Sequence, residues 1–138
     1  MAFANNFLLE YVCIFVAHNP PMKKRPPYTY KAHVLDVYDG DTITVEIDLG
    51  FNIRFTEKVR LVGINAPEMK GADKPKGTKS RDALRKIILK KEVIIKTEKD
   101  EKEKYGRYLG TIFIEKNNKW ICINEWLVEN KFAEKKKY

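Results

Sequence analysis

An alternating segment near the middle of the chain limits most strongly how this sequence can fold. From residue 42 to residue 49, apolar and polar side chains alternate, and the apolar positions are Ile43, Val45, Ile47 and Leu49. Successive side chains of a β-strand point to opposite faces of a sheet, so the pattern predicts a strand with one buried face. Gly50 follows at once and predicts the end of the strand.

Two further strands are predicted on either side of this one. The segment from Tyr28 to Tyr38 is rich in aromatic and β-branched residues, and Asp39-Gly40 after it is a turn signal. A third strand is predicted from Ile53 to Val62. Three consecutive strands with short connections form an antiparallel meander.

The second half of the domain predicts helices between further strands. Residues 63–77 contain several glycines and prolines and predict a loop, and Ala83, Leu84, Ile87 and Ile88 then share one face of a helix from Thr78 to Lys90. We expect a fourth strand at residues 93–95, a charged loop at residues 99–106, a fifth strand at residues 108–115 and a further extended segment at residues 120–123. Asn124 is expected to cap a last short helix. The fold class that this order predicts is α+β, a five-stranded OB-fold barrel with a helix between strands 3 and 4 and a short C-terminal helix.

The chain divides into an N-terminal segment, residues 1–27, and one domain, residues 28–138. Residues 7–17 are apolar except for Glu10, and no lysine or arginine precedes them. This favours an extension, or a true start at Met22, over a secretory leader, and the alternatives stay open. It also favours a cytoplasmic location over secretion. The apolar stretch is too short to cross a bilayer, and we expect a monomer.

The net charge indicates a polyanionic partner. The chain carries 27 Lys and Arg against 19 Asp and Glu, a net charge of +8. Residues 1–21 contain one acidic residue and no basic one, so the rest of the chain holds +9. A basic domain of this kind is typical of nucleic-acid binders, although charge alone does not establish one. The sequence has no GxSxG, Walker A or GxGxxG motif.

Four polar motifs are candidates for chemistry. Asp41 lies in Asp-Gly-Asp-Thr, Arg60 in Val-Arg-Leu, Glu68 in Asn-Ala-Pro-Glu, and Arg107 in Lys-Tyr-Gly-Arg. Each has a plainer interpretation, as a hairpin turn, a solvent-facing arginine, a solvated loop glutamate or a charged loop. Phosphodiester hydrolysis needs a cation, a group that activates water and donors to the phosphate oxygens, and together these motifs supply all three.

These motifs, in this order and with the helix between them, resemble the staphylococcal nuclease family over roughly residues 30–133. The resemblance implies an OB-fold nuclease that uses calcium to cleave DNA and RNA. It implies that Asp41 is the main metal carboxylate and that the backbone carbonyl of Ala66 helps to hold the ion. Asn65 stands where the family commonly has aspartate. An amide oxygen can still coordinate calcium, but without the charge, so we expect weaker binding or acceptance of other divalent ions.

The remaining roles that the resemblance implies concern the substrate. Arg60 and Arg107 match the two arginines that bind phosphate, and Glu68 matches the general base. Tyr105 matches a tyrosine of the nucleotide pocket, and Lys104 a neighbouring phosphate contact.

From the resemblance, we expect no counterpart of the family's longer C-terminal helix after residue 133. The lysines at 135–137 and Tyr138 are alternatives for contacting the nucleic acid.

Two readings without catalysis remain. One is a nuclease-like module that has lost activity and only binds nucleic acid, which Asn65 favours. The other is an OB domain that stacks single-stranded bases on aromatic side chains along a basic groove. The second reading gives no reason for Glu68 to follow Pro67.

Overall fold

The computed structural model describes residues 27–100 and 106–136 of the chain. The β-strands in these residues are β1 (Thr29–Val37), β2 (Thr42–Asp48), β3 (Arg54–Leu61), β4 (Ile64–Asn65), β5 (Glu92–Lys99), β6 (Tyr108–Lys116), β7 (Lys119–Cys122) and β8 (Glu134–Lys135). The helices are α1 (Lys74–Ile88) and α2 (Ile123–Glu129), and a 3-10 turn (Gly71–Asp73) precedes α1. The predictions about residues 1–26 and about Lys104, Tyr105 and Tyr138 fall outside the described residues.

The main sheet closes into a barrel of five strands. The sheet has six strands in the order β3-β2-β1-β5-β6-β7. β3 also pairs with β6 in parallel, which closes the first five of these strands into the barrel and leaves β7 outside the ring. The closing ladder sets Arg60 opposite Leu109 and Leu61 opposite Gly110. A Cβ on Gly110 would lie 2.6 Å from Cγ1 of Val59, so only glycine lets the two strands approach this closely. The fold is therefore α+β and OB-like, as the sequence predicts.

The barrel interior holds the alternating face that the sequence identifies. Ile43 and Val45 are fully buried and Ile47 nearly so. The prediction is wrong for Leu49, which is 44% exposed because β2 ends at Asp48 and the hairpin turn has begun. Leu84 and Ile88 of α1 are fully buried against the same core. The hydrophobic effect along these faces drives closure of the barrel and docking of the helix.

Three predicted boundaries need correction. Helix α1 begins at Lys74 and not at Thr78, because Pro75 fits the first turn of a helix and Gly77 is tolerated inside it. Residues 63–77 are not one loop, since they contain β4 and the 3-10 turn. Asn124 does not cap α2. Cys122 precedes the helix, and Asn124 lies buried inside its first turn.

Candidate active site

The turn between β1 and β2 presents a buried carboxylate. Asp39 accepts a hydrogen bond at Oδ1 from the backbone N–H of Asp41 (3.0 Å), and the N–H of Tyr38 bonds to the carbonyl of Thr42 (3.0 Å). These bonds fix the turn that Asp39-Gly40 predicts. The Asp41 residue, however, is only 5% exposed, which an ordinary hairpin turn does not require.

The Asp41 carboxylate is oriented from two sides. Its Oδ1 accepts a hydrogen bond from the Thr42 hydroxyl (3.1 Å), and its Oδ2 accepts one from the backbone N–H of Ala66 (3.0 Å). The second bond joins the β1–β2 turn to the loop that carries Asn65, Ala66 and Glu68. Two motifs that are 25 residues apart in sequence therefore form one site.

Arg60 extends this site from the neighbouring strand. The register of β2 and β3 pairs Arg60 with Thr42, next to Asp41. One guanidinium nitrogen, Nη2, donates to Oδ1 of Asn65 (2.6 Å) and lies 3.5 Å from Oδ2 of Asp41. The arginine side chain is only 20% exposed, so it is not simply a solvent-facing residue of an edge strand. It draws the oxygens of Asp41 and Asn65 towards one positively charged centre.

The segment with Asn65 is held by the end of the chain. Asn65 pairs with Glu134 of β8, Ile64 pairs with Lys135, and the N–H of Lys136 bonds to the carbonyl of Gly63 (2.9 Å). Residues 134–136 therefore support the segment that carries Asn65. The sequence gives no sign of this pairing, because two-residue strands have no detectable periodicity.

Asp39 adds a second acidic side chain beside Asp41. Burial raises the pKa of the Asp39 carboxyl above its usual range, and the neighbouring Asp41 carboxylate raises it further. The turn thus concentrates negative charge at a partly desolvated position. The sequence predicts Asp39 only as part of a turn, although its place two residues before Asp41 is a usable signal of a second acidic group.

Glu68 lies on the loop that carries Ala66, and Arg107 directly precedes β6, the strand that pairs with β3. Glu68 is exposed and follows Pro67 on the loop anchored by Ala66. Arg107 comes directly before β6, and its carbonyl accepts a hydrogen bond from the N–H of Asp100 (3.1 Å). Gly106 has φ +65°, which permits the turn there. Leu109, two residues after Arg107, lies opposite Arg60.

The structure thus joins some of the predicted site residues by direct contacts, namely Asp41, Arg60, Asn65 and Ala66. Lys104 and Tyr105 belong to the part of the loop that the structure does not describe. Within residues 27–100 and 106–136, no group of three or more His, Cys, Asp or Glu side chains is arranged to hold a metal ion. None of the helices in the same residues has the length and apolar character needed to cross a membrane.

Known proteins resemble this chain in sequence. The family model described as staphylococcal nuclease homologue matches residues 58–138. A thermonuclease of Staphylococcus hyicus is 30% identical over 113 residues, which cover 80% of this chain and 60% of the relative. An uncharacterized protein of Methanocaldococcus jannaschii is 32% identical over 125 residues, 75% of this chain and 58% of that protein.

The sequence therefore spans about 60% of the length of these relatives. The family match covers more than half of this chain, including Arg60, Glu68 and Arg107. The chain belongs to the staphylococcal nuclease family.

Proposed function

We propose that this protein is a calcium-dependent nuclease that hydrolyses phosphodiester bonds in DNA, RNA or both. The observation that carries the proposal is the convergence of Asp41, Arg60 and Asn65 from the β1–β2 turn, β3 and β4. A carboxylate and an amide oxygen beside an arginine are the groups that a phosphodiesterase needs for a hard cation and a phosphate.

The oxygen ligands of the candidate site fit calcium, and together they carry little negative charge. Calcium prefers carboxylate, amide and carbonyl oxygens, which Asp41, Asn65 and the Ala66 carbonyl would supply. Asp41 is already oriented by Thr42 and by the N–H of Ala66. Only Asp41 in this set is charged. A low charge count weakens calcium binding, so water and substrate oxygens would complete the coordination.

The bound ion would supply positive charge next to the scissile phosphate. Glu68 would accept a proton from the attacking water as the water oxygen bonds to phosphorus. The P–O ester bond would break with its electron pair on the leaving ester oxygen, which would take a proton from solvent. Arg60 and Arg107 would donate hydrogen bonds to the non-bridging oxygens, whose negative charge grows in the transition state. Tyr105 and Lys104 would position the nucleotide and its neighbouring phosphate. A stacking aromatic residue and phosphate contacts accept both DNA and RNA.

The proposal is tested by separating cleavage from binding in an Asp41→Asn variant. We expect it to bind labelled single-stranded DNA close to wild-type affinity but to cut it on the order of 10²–10³ times more slowly in calcium, the range for loss of one major electrostatic group. Asp73→Asn is the matched control, because Asp73 is exposed in the turn before α1. An Asp41→Asn variant that cuts at the wild-type rate would contradict the assigned site.

The alternative function is a nucleic-acid-binding module without catalysis. The feature that favours it is the lack of a cluster of three acidic, His or Cys side chains among the described residues. A module of this kind would bind DNA with a steep dependence on salt and leave it intact in calcium, magnesium and manganese. The wild-type protein in the same assay separates the two functions.

A first prediction concerns the charge at position 65. Asn65→Asp would add a second negative ligand, and we expect calcium affinity to rise about tenfold, which corresponds to about 1.4 kcal/mol. Isothermal titration with calcium on both proteins measures this. Equal affinities would show that charge at position 65 does not limit binding.

A second prediction concerns the positive charge of Arg60. Its guanidinium lies 3.5 Å from the Asp41 carboxylate and competes with a cation for it. We expect Arg60→Met to bind calcium or terbium about five- to tenfold more tightly than wild type in the absence of nucleic acid, while losing affinity for phosphate. Terbium luminescence gives the first quantity and DNA binding the second. Arg54→Met is the control, because Arg54 is exposed and pairs with Glu46. Weaker terbium binding by Arg60→Met would show that the arginine supports the cation site.

A further inference from the structure

The first turns of α1 pack directly on the loop that carries Glu68. Gly77 is buried, and a Cβ at this position would overlap the carbonyl oxygen of Glu68. It would also lie 2.8 Å from the carbonyl carbon of Glu68 and 2.9 Å from the carbonyl oxygen of Pro67. All three contacts are with backbone atoms, which cannot rotate away as the end of a side chain can.

Glycine is a poor helix former, and Gly77 lies inside α1. Its backbone is not in the left-handed region, so the local conformation does not require it. Alanine would favour the helix. The reason for glycine must therefore be space, and the space is occupied by the backbone of residues 67 and 68.

The same face of α1 supports the Asp41 turn. A Cβ on Gly40 would lie 2.7 Å from Cβ of Ala66 and 2.9 Å from Cβ of Ser80. The Ser80 hydroxyl donates to the carbonyl of Phe132 (2.5 Å), and Arg85 donates from Nε and Nη2 to the carbonyl of Val37 (3.1 and 2.9 Å). Helix α1 is thus fixed to the end of β1 and to the chain after α2, and it provides a rigid surface for both loops.

We propose that Gly77 is a positioning residue that sets the place of Glu68 by allowing the Pro67–Glu68 backbone to lie against α1. The inference rests on the proposed function, in which Glu68 takes the proton from water. Because α1 is fixed at Ser80 and Arg85, an added methyl group moves the loop and not the helix. Glu68 then shifts relative to the phosphate held by Arg60 and Arg107.

The test is a double-mutant cycle with Gly77→Ala and Glu68→Gln. We expect Gly77→Ala to lower kcat about 100-fold, as a displacement of about 1 Å can, with little change in KM or melting temperature. In the Glu68→Gln background, Gly77→Ala should have no further effect, because the residue acts through Glu68. Asp82→Ala, at an exposed position of α1, is the control.

A readout without activity separates this inference from the proposed function. In ¹H–¹⁵N spectra, Gly77→Ala should shift the amide signals of Glu68 and Met69 well beyond any change that Asp82→Ala causes. If the wild-type protein does not cut DNA but these signals move, the proposed function fails and the positioning of the loop stands. Unmoved signals, a wild-type kcat, equal further losses in the Glu68→Gln background, or failure of Gly77→Ala to fold would each overturn the inference.

Discussion

Replacing Asn124 with alanine is expected to lower the free energy of unfolding by about 3–5 kcal/mol. The Asn124 side chain is buried and joins three backbone groups. Its Oδ1 accepts from the N–H of Ile112 (3.1 Å), and its Nδ2 donates to the carbonyls of Val62 (2.9 Å) and Gly110 (3.1 Å). Alanine leaves the N–H of Ile112 and the carbonyl of Val62 without this partner, whereas the Gly110 carbonyl keeps its bond from the N–H of Val62 (3.0 Å). Each unsatisfied buried group costs about 1–3 kcal/mol.

The matched control for this prediction is Asn130→Ala. The Asn130 side chain also donates to a backbone carbonyl, that of Trp126 (2.9 Å), but it is exposed, so water replaces the lost bond. We expect a change of about 1 kcal/mol or less. Urea unfolding at neutral pH measures both variants. Equal losses would contradict the assignment of Asn124 as the residue that ties α2 to the closing strands of the barrel.

Replacing Glu68 with glutamine is expected to lower kcat by on the order of 10²–10⁴, the contribution of a general base. Glutamine keeps the size of the side chain and removes its capacity to take a proton. Because Glu68 is exposed, the free energy of unfolding should change by less than about 0.5 kcal/mol. Affinity for DNA, which depends on phosphate contacts, should change little.

Single-turnover cleavage of labelled DNA across a pH series measures this effect, because it isolates the chemical step. Glu129→Gln is the control, since Glu129 is exposed at the end of α2. If Glu68→Gln cuts at the wild-type rate with the same pH profile, another group activates water, and Glu68 is a solvated loop residue.

The elements with strong periodicity could be predicted from the sequence. The alternation at residues 42–49 places Ile43, Val45 and Ile47 inside the barrel, where they are buried. A period of two belongs to a strand with one buried face, so the assignment needs no tertiary information. Leu49 shows the limit of the pattern, because a turn ends a strand without ending the alternation.

Features that depend on distant contacts could not be predicted. The parallel pairing of β3 with β6 closes the barrel between residues about 50 apart, and its only local sign is Gly110. The pairing of β4 with β8 has no local sign at all. The sequence predicts a later start of α1, because Pro75 and Gly77 are typical of loops. In the structure, the first turn of the helix tolerates Pro75, and close packing requires Gly77.

The candidate site could also be predicted only in part from the sequence. Short motifs identified Asp41 and Arg60, because the chemistry of a phosphodiesterase restricts which side chains can serve, and the resemblance to the nuclease family added Asn65. The structure brings Asp41 and Asn65 together at Arg60. The motifs could not show that Ala66 orients Asp41 through its N–H. The motifs also do not reveal the supporting roles of Gly77 and Asn124, which contact backbone atoms of the protein and not substrate.

In the proposed function, the convergence of Asp41, Arg60 and Asn65 serves metal-dependent cleavage. The most direct measurement is digestion of single-stranded DNA by the purified protein in calcium, in excess EGTA, and after calcium is restored. The expected result is cutting in calcium, none in EGTA, and full recovery on restoration. DNA that is bound but stays intact in calcium, magnesium and manganese, or cutting that persists in EGTA, would contradict it.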